Sequence, residues 1–453
     1  MLAQADCFHI PLASKSVHCV VTSPPYWGLR RYAGEQGQEP LGLEPTPERH
    51  IERTVEWARE VWRVLRSDGV FWLNYGDCYH GSGGENGNLG LGLDTAEQHG
   101  NYRKNPRKKT IAGGNLTMMP HRVALALQAD GWIVRQDLVW SKPNPMPEPA
   151  NGWRWQRTRT ERERVRGAGV QRSNTASREA GFSGSLDKVE WEYGPDYELR
   201  RGSWRHTRAH EYVFQLCKSM QYWSDGEAVR ERVGQTAIVE GANGARYSGS
   251  RNPRSVLHIP TAPYRGAHYA TYPPALIAPL ILATCPRWCC PVCGQGWAPV
   301  VEQTAEYTAF AKRDMESGGW TKRSGTDTIG RGTAGDGTNS AEVPPKNTVL
   351  GHRPTCDCNP SHEFREASYH CSNCDMTIGE AVALKSDYCS VPGIVCDPFV
   401  GSGTTVMVAR QLLRRGIGFD LSRPYLDEQA KVRTGSGMPS TGLDNLPLFR
   451  DTE

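Results

Sequence analysis

The chain has 453 residues, 38% of them hydrophobic, with 48 Gly, 31 Pro and a net charge of +4. That length suffices for two or three domains with at least one large core, and the Gly and Pro content points to long polar loops around it. No stretch approaches the roughly 18–20 apolar residues that cross a bilayer, and the start, MLAQADCFHIPLAS, lacks the basic end and apolar run of a secretion signal, so the expectation is a cytoplasmic protein with no membrane partner.

Val17 to Thr22 reads as a short buried strand that runs into Ser23-Pro24-Pro25-Tyr26-Trp27. Pro47 opens a helix with Thr46 as N-cap. Its apolar positions Ile51, Val55, Ala58, Trp62 and Leu65 follow the rhythm of one buried face. Ser67-Asp68-Gly69 is expected to stop it, and Val70 to Leu73 to form the next strand. Strand, helix and strand together are the building block of a parallel sheet. Residues 80–117 are Gly- and Asn-rich and read as a loop, within which 103–109 (RKNPRKK) holds five basic residues and no acid.

A helix over 120–130 ends at Gly131 and leads to the strand Trp132–Trp140. Residues 143–205 look mostly irregular. Within them, 153–172 carries seven Arg against two Glu, together with Trp153 and Trp155. Basic runs with aromatics suit a phosphate backbone and unstacked bases, although solvated loops have the same composition. Glu211–Cys217 reads as a strand, 226–255 as a second polar insertion, and Pro273–Thr284 as a buried helix. Of the 14 cysteines, nine fall between 285 and 389, which marks a separate module broken by a Gly/Thr/Ser-rich stretch at 317–340.

Near the end, the strand Ile394-Val395-Cys396 runs into Asp397-Pro398-Phe399-Val400-Gly401-Ser402-Gly403-Thr404-Thr405 and then a helix with Val406, Val408, Ala409 and Leu412. Two glycines at a strand-to-helix turn let backbone approach a ligand closely. The next strand, Gly416–Phe419, ends in Asp420, placed to accept hydrogen bonds from two ribose hydroxyls. The third Gly of the dinucleotide fingerprint is missing, which argues against NAD and for another nucleoside-type cofactor. A helix near 424–433 and a disordered tail, 434–453, close the chain.

Ser23-Pro24-Pro25-Tyr26 follows a strand and so lies at the carboxyl edge of the sheet, where α/β proteins bind ligands. An exocyclic base nitrogen is a poor nucleophile because its lone pair is delocalised into the ring. Acceptors on its two N–H groups return density to nitrogen, and the Ser23 hydroxyl and Pro24 carbonyl suit that role. Pro25 stiffens the turn, and Tyr26 offers a face on which a flipped base can stack.

The pair TSPPY (22–26) and DPFVGSGTT (397–405) resembles the beta group of DNA amino-methyltransferases, in which the catalytic loop comes first and the cofactor loop last. Further segments carry the likeness: Ala5-Asp6-Cys7, RVLRSDG at 63–69, Asn74-Tyr75-Gly76-Asp77, Trp140-Ser141-Lys142-Pro143-Asn144-Pro145, His210-Glu211-Tyr212-Val213-Phe214 and Ala267-His268-Tyr269-Ala270-Thr271-Tyr272-Pro273. The resemblance implies an α/β fold: a class I methyltransferase, Rossmann-like mixed sheet, circularly permuted, with loop insertions and a small Cys-rich zinc module. It implies S-adenosylmethionine as cofactor, held by Asp6, His268, Ala270, Thr271, Asp397, Pro398, Phe399, Gly401, Gly403, Thr404, Thr405 and Asp420, with Ser23, Pro24, Pro25 and Tyr26 as the catalytic set.

A loop that begins with Ser is typical of N4-cytosine enzymes, one that begins with Asp of N6-adenine enzymes. The expected activity is therefore site-specific methylation of cytosine N4 in double-stranded DNA by base flipping, with adenine N6 as the alternative. A non-catalytic zinc DNA-binding protein on a methyltransferase scaffold is the alternative from another class. Cytosine C5 chemistry needs a thiolate nucleophile, usually in a Pro-Cys pair, and the chain has none. A cognate restriction enzyme is a further partner that this likeness admits without requiring one. Oligomeric state is not legible.

Cys290-Pro-Val-Cys293-Gly is half a zinc knuckle. Related methyltransferases pair C-x-x-C with C-x-C, which selects Cys356 and Cys358 as the other half. Spacing alone would favour Cys371 and Cys374. With Cys285, Cys289, His352, His362 and His370 nearby, there is room for a second metal. The expected divisions are 1–143 (catalytic half), 144–256 (target recognition, with a core strand at 211–217), 257–284 (cofactor-lining segment and helix), 285–390 (Cys-rich insertion), 391–433 (cofactor half) and 434–453 (tail).

Overall fold

A computed structural model describes residues 1–28, 41–80, 111–112, 114–145, 152–165, 188–232, 250–262, 271–316, 347–365, 370–374 and 376–435. The basic run 103–109, the 317–340 stretch, most of the 226–255 insertion and nearly all of the expected tail lie outside those residues.

In chain order the strands are β1 (Leu2–Gln4), β2 (Val17–Thr22), β3 (Leu65–Tyr75), β4 (Ile133–Ser141), β5 (Arg154–Val165), β6 (Lys188–Arg200), β7 (His210–Cys217), β8 (Glu231–Arg232), β9 (Ser250–Arg251), β10 (Val256–His258), β11 (Ala298–Gln303), β12 (Asn347–Arg353), β13 (Ile394–Asp397) and β14 (Arg415–Asp420). Eight of them form one sheet in the order β1-β14-β13-β2-β3-β7-β4-β10. Every neighbouring pair is parallel except those made by β7, which runs antiparallel to both β3 and β4. This is the expected mixed α/β sheet. Its permutation is visible where β1, from the start of the chain, pairs with β14, from near the end of the described chain, with Leu2 opposite Gly418.

Helices cover both faces. On one, α1 (Pro47–Val64) and α2 (Met119–Ala129) bury Trp57, Val61, Val64, Val123 and Leu127 against Val20, Phe71 and Leu73. On the other, α3 (Pro274–Thr284) packs Leu276, Ile277 and Ile281 on Cys19, Val21, Val70 and Trp72. Alternate residues of β2 and β3 thus serve opposite layers, which is why both strands read as continuous apolar runs. Each large side chain so buried contributes roughly 1.5–3 kcal/mol.

Thr46 caps α1 by accepting from the Arg49 amide at 3.2 Å. The helix ends earlier than expected, at Val64, because Leu65 turns extended and is buried. Ser67-Asp68-Gly69 belongs to β3 instead, in the irregularity where pairing slips from Val17–Leu65 to Cys19–Val70.

A larger correction concerns 143–205, read as mostly irregular. Strands β5 and β6 form a long antiparallel ribbon there, with Trp155 opposite Leu199 and Arg157 opposite Tyr197. Strand β6 alternates Val189, Trp191, Tyr193, Tyr197 and Leu199 with mostly charged residues, interrupted at Gly194-Pro195, whereas β5 after Trp155 is polar at every position up to Val165. The period of two in β6 was therefore open to a hydrophobicity reading, and only β5 lacks the apolar face such a reading seeks. Trp153, Trp155, Tyr193 and Tyr197 are all exposed on the ribbon.

The expected final helix is a π-type turn, Tyr425–Ala430, that continues into a short α-helix, Lys431–Gly435. No helix among the described residues is long and apolar enough to cross a membrane.

Candidate active site and metal centre

Strand β13 delivers Asp397 to the carboxyl edge of the sheet, beside the end of β2. Asp397 is 2% exposed, and its two oxygens are taken by protein donors. Oδ1 accepts from the Thr22 hydroxyl (2.5 Å) and the Phe399 amide (3.0 Å). Oδ2 accepts from the Thr405 hydroxyl (2.5 Å) and the Tyr272 hydroxyl (3.0 Å), while Tyr272 and Thr405 also bond one another. Burial pushes the Asp397 carboxyl pKa up, and these four donors oppose the rise. The residue expected on the cofactor thus spends its carboxylate on tying the catalytic strand, the cofactor loop and the 271–273 segment to one point.

The helix after the loop, α4 (Thr404–Gln411), begins at Gly403, whose φ of 82° is left-handed. A Cβ there would also stand 3.1 Å from the Ala430 Cα, so both conformation and packing demand glycine. Thr404 and Thr405 are buried with inward hydroxyls; Arg433 donates to Thr404 Oγ1 at 2.6 Å and to Ser402 Oγ at 3.0 Å. Their side chains face protein, which leaves the backbone of the helix N-terminus as the part suited to an anionic group.

Asp420, at the tip of β14, accepts from the Gly401 amide (3.1 Å) and the Ser422 amide (2.8 Å) and keeps partial exposure. Burial raises its pKa, against the pull of those two amides. Asp6 accepts from the Phe8 amide at 3.0 Å. Pro398 is buried, and Phe399 meets Trp57 edge-on at 5.0 Å. Thr271 is half-buried beside Tyr272. His268 and Ala270 lie outside the described residues.

Ser23 and Tyr26 sit at the end of β2 in a polar cluster. The Ser23 and Tyr26 hydroxyl oxygens are 3.0 Å apart, and Tyr26 donates to Glu211 Oε2 at 2.9 Å. Asn74 Nδ2 donates to the Tyr26 hydroxyl (2.7 Å) and Glu211 Oε2 (3.0 Å) and lies 3.4 Å from Ser23 Oγ. Lys142 pairs with Glu211 from the opposite side. Burial, reinforced by the Glu211 charge, pushes the Tyr26 pKa up, so the phenol keeps its proton. The ring stacks on Tyr75 at 4.8 Å, and a Cβ on Gly76 would stand 2.6 Å from it. One face of Tyr26 is therefore covered already. Asn74, Lys142 and Glu211 were not named as site residues, although each stands in a segment that carries the family likeness. The buried Asn74 Oδ1 has no donor among the described residues.

In the Cys-rich module one sulfur each of Cys290, Cys293, Cys356 and Cys358 lies within 4.8 Å of the others. The Cys290–Cys293 turn closes through the Gly294 amide on the Cys290 carbonyl (2.8 Å), with Gly294 at φ 72°. The set brings together the C-x-x-C and C-x-C halves; Cys371 and Cys374 are elsewhere. Two bonds anchor the knuckle to the sheet: Arg66 Nη1 donates to the Cys293 carbonyl (2.9 Å), and His18 Nε2 contacts the Gly294 carbonyl (2.8 Å).

The N6/N4 family model described as DNA methylase matches residues 17–287 and 386–431, a span that omits most of the Cys-rich module. The type II methyltransferase M.Cfr9I of Citrobacter freundii is 35% identical over 282 residues, 60% of this chain and 68% of that one. M.XycI of Xanthomonas campestris pv. cyanopsidis is 36% identical over 282 residues, with the same coverage. A solved structure, PvuII DNA methyltransferase (cytosine-N4-specific), aligns at 14% identity over 94% of this chain and 83% of its own, with a TM-score of 0.40. On the family match and these relatives, the chain belongs to the N6/N4 amino-methyltransferase family of S-adenosylmethionine-dependent DNA methyltransferases.

Proposed function

We propose that the chain methylates the exocyclic N4 amino group of cytosine in double-stranded DNA. The observation that carries the choice of base is Ser23 at the head of the catalytic loop, its hydroxyl held beside Tyr26 and Asn74. A hydroxyl and the Pro24 carbonyl are neutral acceptors, matched to the two N–H groups of an amino nitrogen. The target base leaves the stack to reach them. Pro25 fixes the loop, and Tyr26, pinned through its hydroxyl by Glu211 and Asn74, is the aromatic proposed to stack on the base. S-adenosylmethionine, when bound, supplies an electrophilic methyl group. The methyl group would pass directly and in line from the sulfonium sulfur to the base nitrogen, the S–C bond breaking as the N–C bond forms and the surplus amino proton leaving to solvent, so no covalent enzyme intermediate forms.

The cofactor site fits that molecule chemically. Asp420 is an anchored acceptor for ribose hydroxyls, and the α4 N-terminus suits a carboxylate. Asp6, Thr271, Pro398, Phe399, Gly401 and Gly403 line the same edge, and His268 and Ala270 are assigned to it from the family motif. Asp397, Thr404 and Thr405 shape the site from within. The Cys290–Cys293–Cys356–Cys358 set suits a structural zinc, since four thiolates leave no open position.

The β5–β6 ribbon suits target recognition. It exposes Trp155, Arg157 and Tyr197, and a two-stranded ribbon fits the major groove. A cognate restriction enzyme is the further partner proposed. Incubation with labelled S-adenosylmethionine and unmethylated DNA, followed by nucleoside digestion and mass spectrometry, tests the reading. N4-methylcytosine supports it; N6-methyladenine alone would overturn the choice of base and keep the site.

A further inference from the structure

Cys371 and Cys374, the spacing-based rivals for the first knuckle, belong to a second constellation. One donor atom each of His362, Cys371, Cys374 and Cys389 lies within 4.8 Å of the others. Cys371 and Cys389 sulfurs are 3.3 Å apart, and His362 Nδ1 stands 3.4 Å from the Cys389 sulfur and 3.7 Å from that of Cys374. Tetrahedral coordination with Zn–S near 2.3 Å and Zn–N near 2.0 Å places donors about 3.5–3.8 Å apart. The observed spacings lie close to that range, and three sulfurs and one imidazole nitrogen converge on one point.

The backbone builds this cluster deliberately. The Cys371–Cys374 turn is held by the Cys371 amide on the Met376 carbonyl (2.8 Å) and the Ser372 amide on the Glu363 carbonyl (2.7 Å). The Asn373 amide points at the Cys371 sulfur at 3.4 Å. Cys389 is brought in by its amide on the Pro360 carbonyl (2.8 Å). The local core, Trp297, Met376, Ala381 and Leu384, is small for a unit of this length. A unit with so little apolar burial needs a covalent or metal staple.

We propose that His362, Cys371, Cys374 and Cys389 form a second structural zinc site, distinct from the four-cysteine site. His362 binds through Nδ1, and the filled ligand set makes the metal a brace with no open position for chemistry. A Cys371–Cys389 disulfide is the rival. The 3.3 Å separation far exceeds an S–S bond of about 2.05 Å, and a disulfide gives His362 and Cys374 no part. The site has a purpose in the fold. Cys389 is followed by Val391, which exchanges backbone bonds with Cys289 (2.7 and 2.8 Å), and then by β13, which carries the cofactor loop. The metal therefore clamps the chain at the point where the module hands over to the sheet.

Metal analysis of the full-length protein, purified without chelator, reads this independently of methylation. The expected result is two zinc ions per chain, falling to about one in Cys371→Ser and in Cys358→Ser. His362→Cys should retain two and, after cobalt substitution, shift that site's visible bands toward a four-thiolate spectrum, a readout that survives if Cys371→Ser does not fold. A single zinc that Cys358→Ser removes and His362→Cys leaves spectrally unchanged would overturn the proposal. So would a Cys371–Cys389 disulfide in an unreduced peptide map.

Discussion

Thr22 donates its hydroxyl proton to Asp397 across 2.5 Å, although 375 positions separate them in the chain. Thr22 is the residue before Ser23, proposed as catalytic, and Asp397 opens the loop proposed for the cofactor. The same carboxylate holds Tyr272 and Thr405. One buried group thus ties the Ser23 loop to the Gly401–Gly403 loop, the two proposed to receive the base and the cofactor.

Thr22→Val keeps the shape and removes the donor. A buried bond to a charged group is worth about 1.5–3 kcal/mol, so the unfolding free energy should fall by that amount. Turnover should fall more than cofactor affinity, because the displaced element is the catalytic loop. Urea denaturation and calorimetric titration with S-adenosylmethionine check this. Unchanged turnover in a destabilised protein would reduce Thr22 to a packing residue.

Ser23→Ala should leave cofactor affinity near that of the parent and slow methyl transfer by about a hundredfold or more, the usual cost of one preorganised polar contact. Tyr26→Ala should do the same. Glu211→Gln, which alters the partner of Tyr26 and Lys142 without touching Ser23, should give a smaller loss. Single-turnover rates with labelled cofactor decide it; a fully active Ser23→Ala protein would show that the amino-group contact is misassigned.

The TSPPY and DPFVGSGTT loops were legible as strand-end turns because each packs its distinctive residues into a consecutive run. Buried strands β2, β3 and β13 were legible for the same local reason. What joins them was not: Glu211, Asn74 and Lys142 come from three separate strands or strand ends, and only the sheet order brings them to Tyr26. In the β5–β6 ribbon only β5 is polar on both sides; β6 alternates Val189, Trp191, Tyr193, Tyr197 and Leu199 with charged residues, a period that Gly194-Pro195 interrupts and that was legible but passed over. Cys389 escaped because it belongs to no spaced pair, and its role depends on a turn 15 positions upstream at Cys374.

Asp420→Ala should weaken S-adenosylmethionine binding by about ten- to a hundredfold, the loss of one or two hydrogen bonds to a charged acceptor. The Gly401 and Ser422 amides it now accepts from would also lose their partner, which loosens the cofactor turn. Asp420→Asn, which retains an acceptor, should recover part of the affinity. Calorimetric titration separates these, and affinity unchanged in Asp420→Ala would remove its ribose role.

The exposed ribbon gives a separable test of DNA binding. Arg157→Ala and Trp155→Ala should weaken duplex binding several-fold while cofactor affinity stays put, since neither residue contacts the sheet edge. Loss of a phosphate contact would also lower the salt dependence, by about one unit of slope for Arg157. Fluorescence anisotropy across a salt series reads both effects, and an unaltered salt slope would exclude Arg157 from the phosphate backbone.

His18 makes stability depend on pH in a definite direction. Its Nδ1 accepts from the Ile394 amide at 3.0 Å, so Nε2 carries the proton given to the Gly294 carbonyl at 2.8 Å. Only the neutral ring fits both. Burial pushes its pKa from 6.5 down to about 4, against the raising effect of the Gly294 carbonyl, with Arg66 lowering it and Asp68 raising it by smaller amounts. The unfolded chain therefore takes up the proton first. Stability is full above 6.5 and falls as pH drops toward 4, with a slope from this residue approaching about 1.4 kcal/mol per pH unit. His18→Gln should flatten that slope. Urea melts of both proteins at matched zinc cancel the acid sensitivity that the proposed cysteine ligands would add, and parallel pH profiles would show that the ring between the Cys290–Cys293 turn and β13 does not titrate as a neutral link.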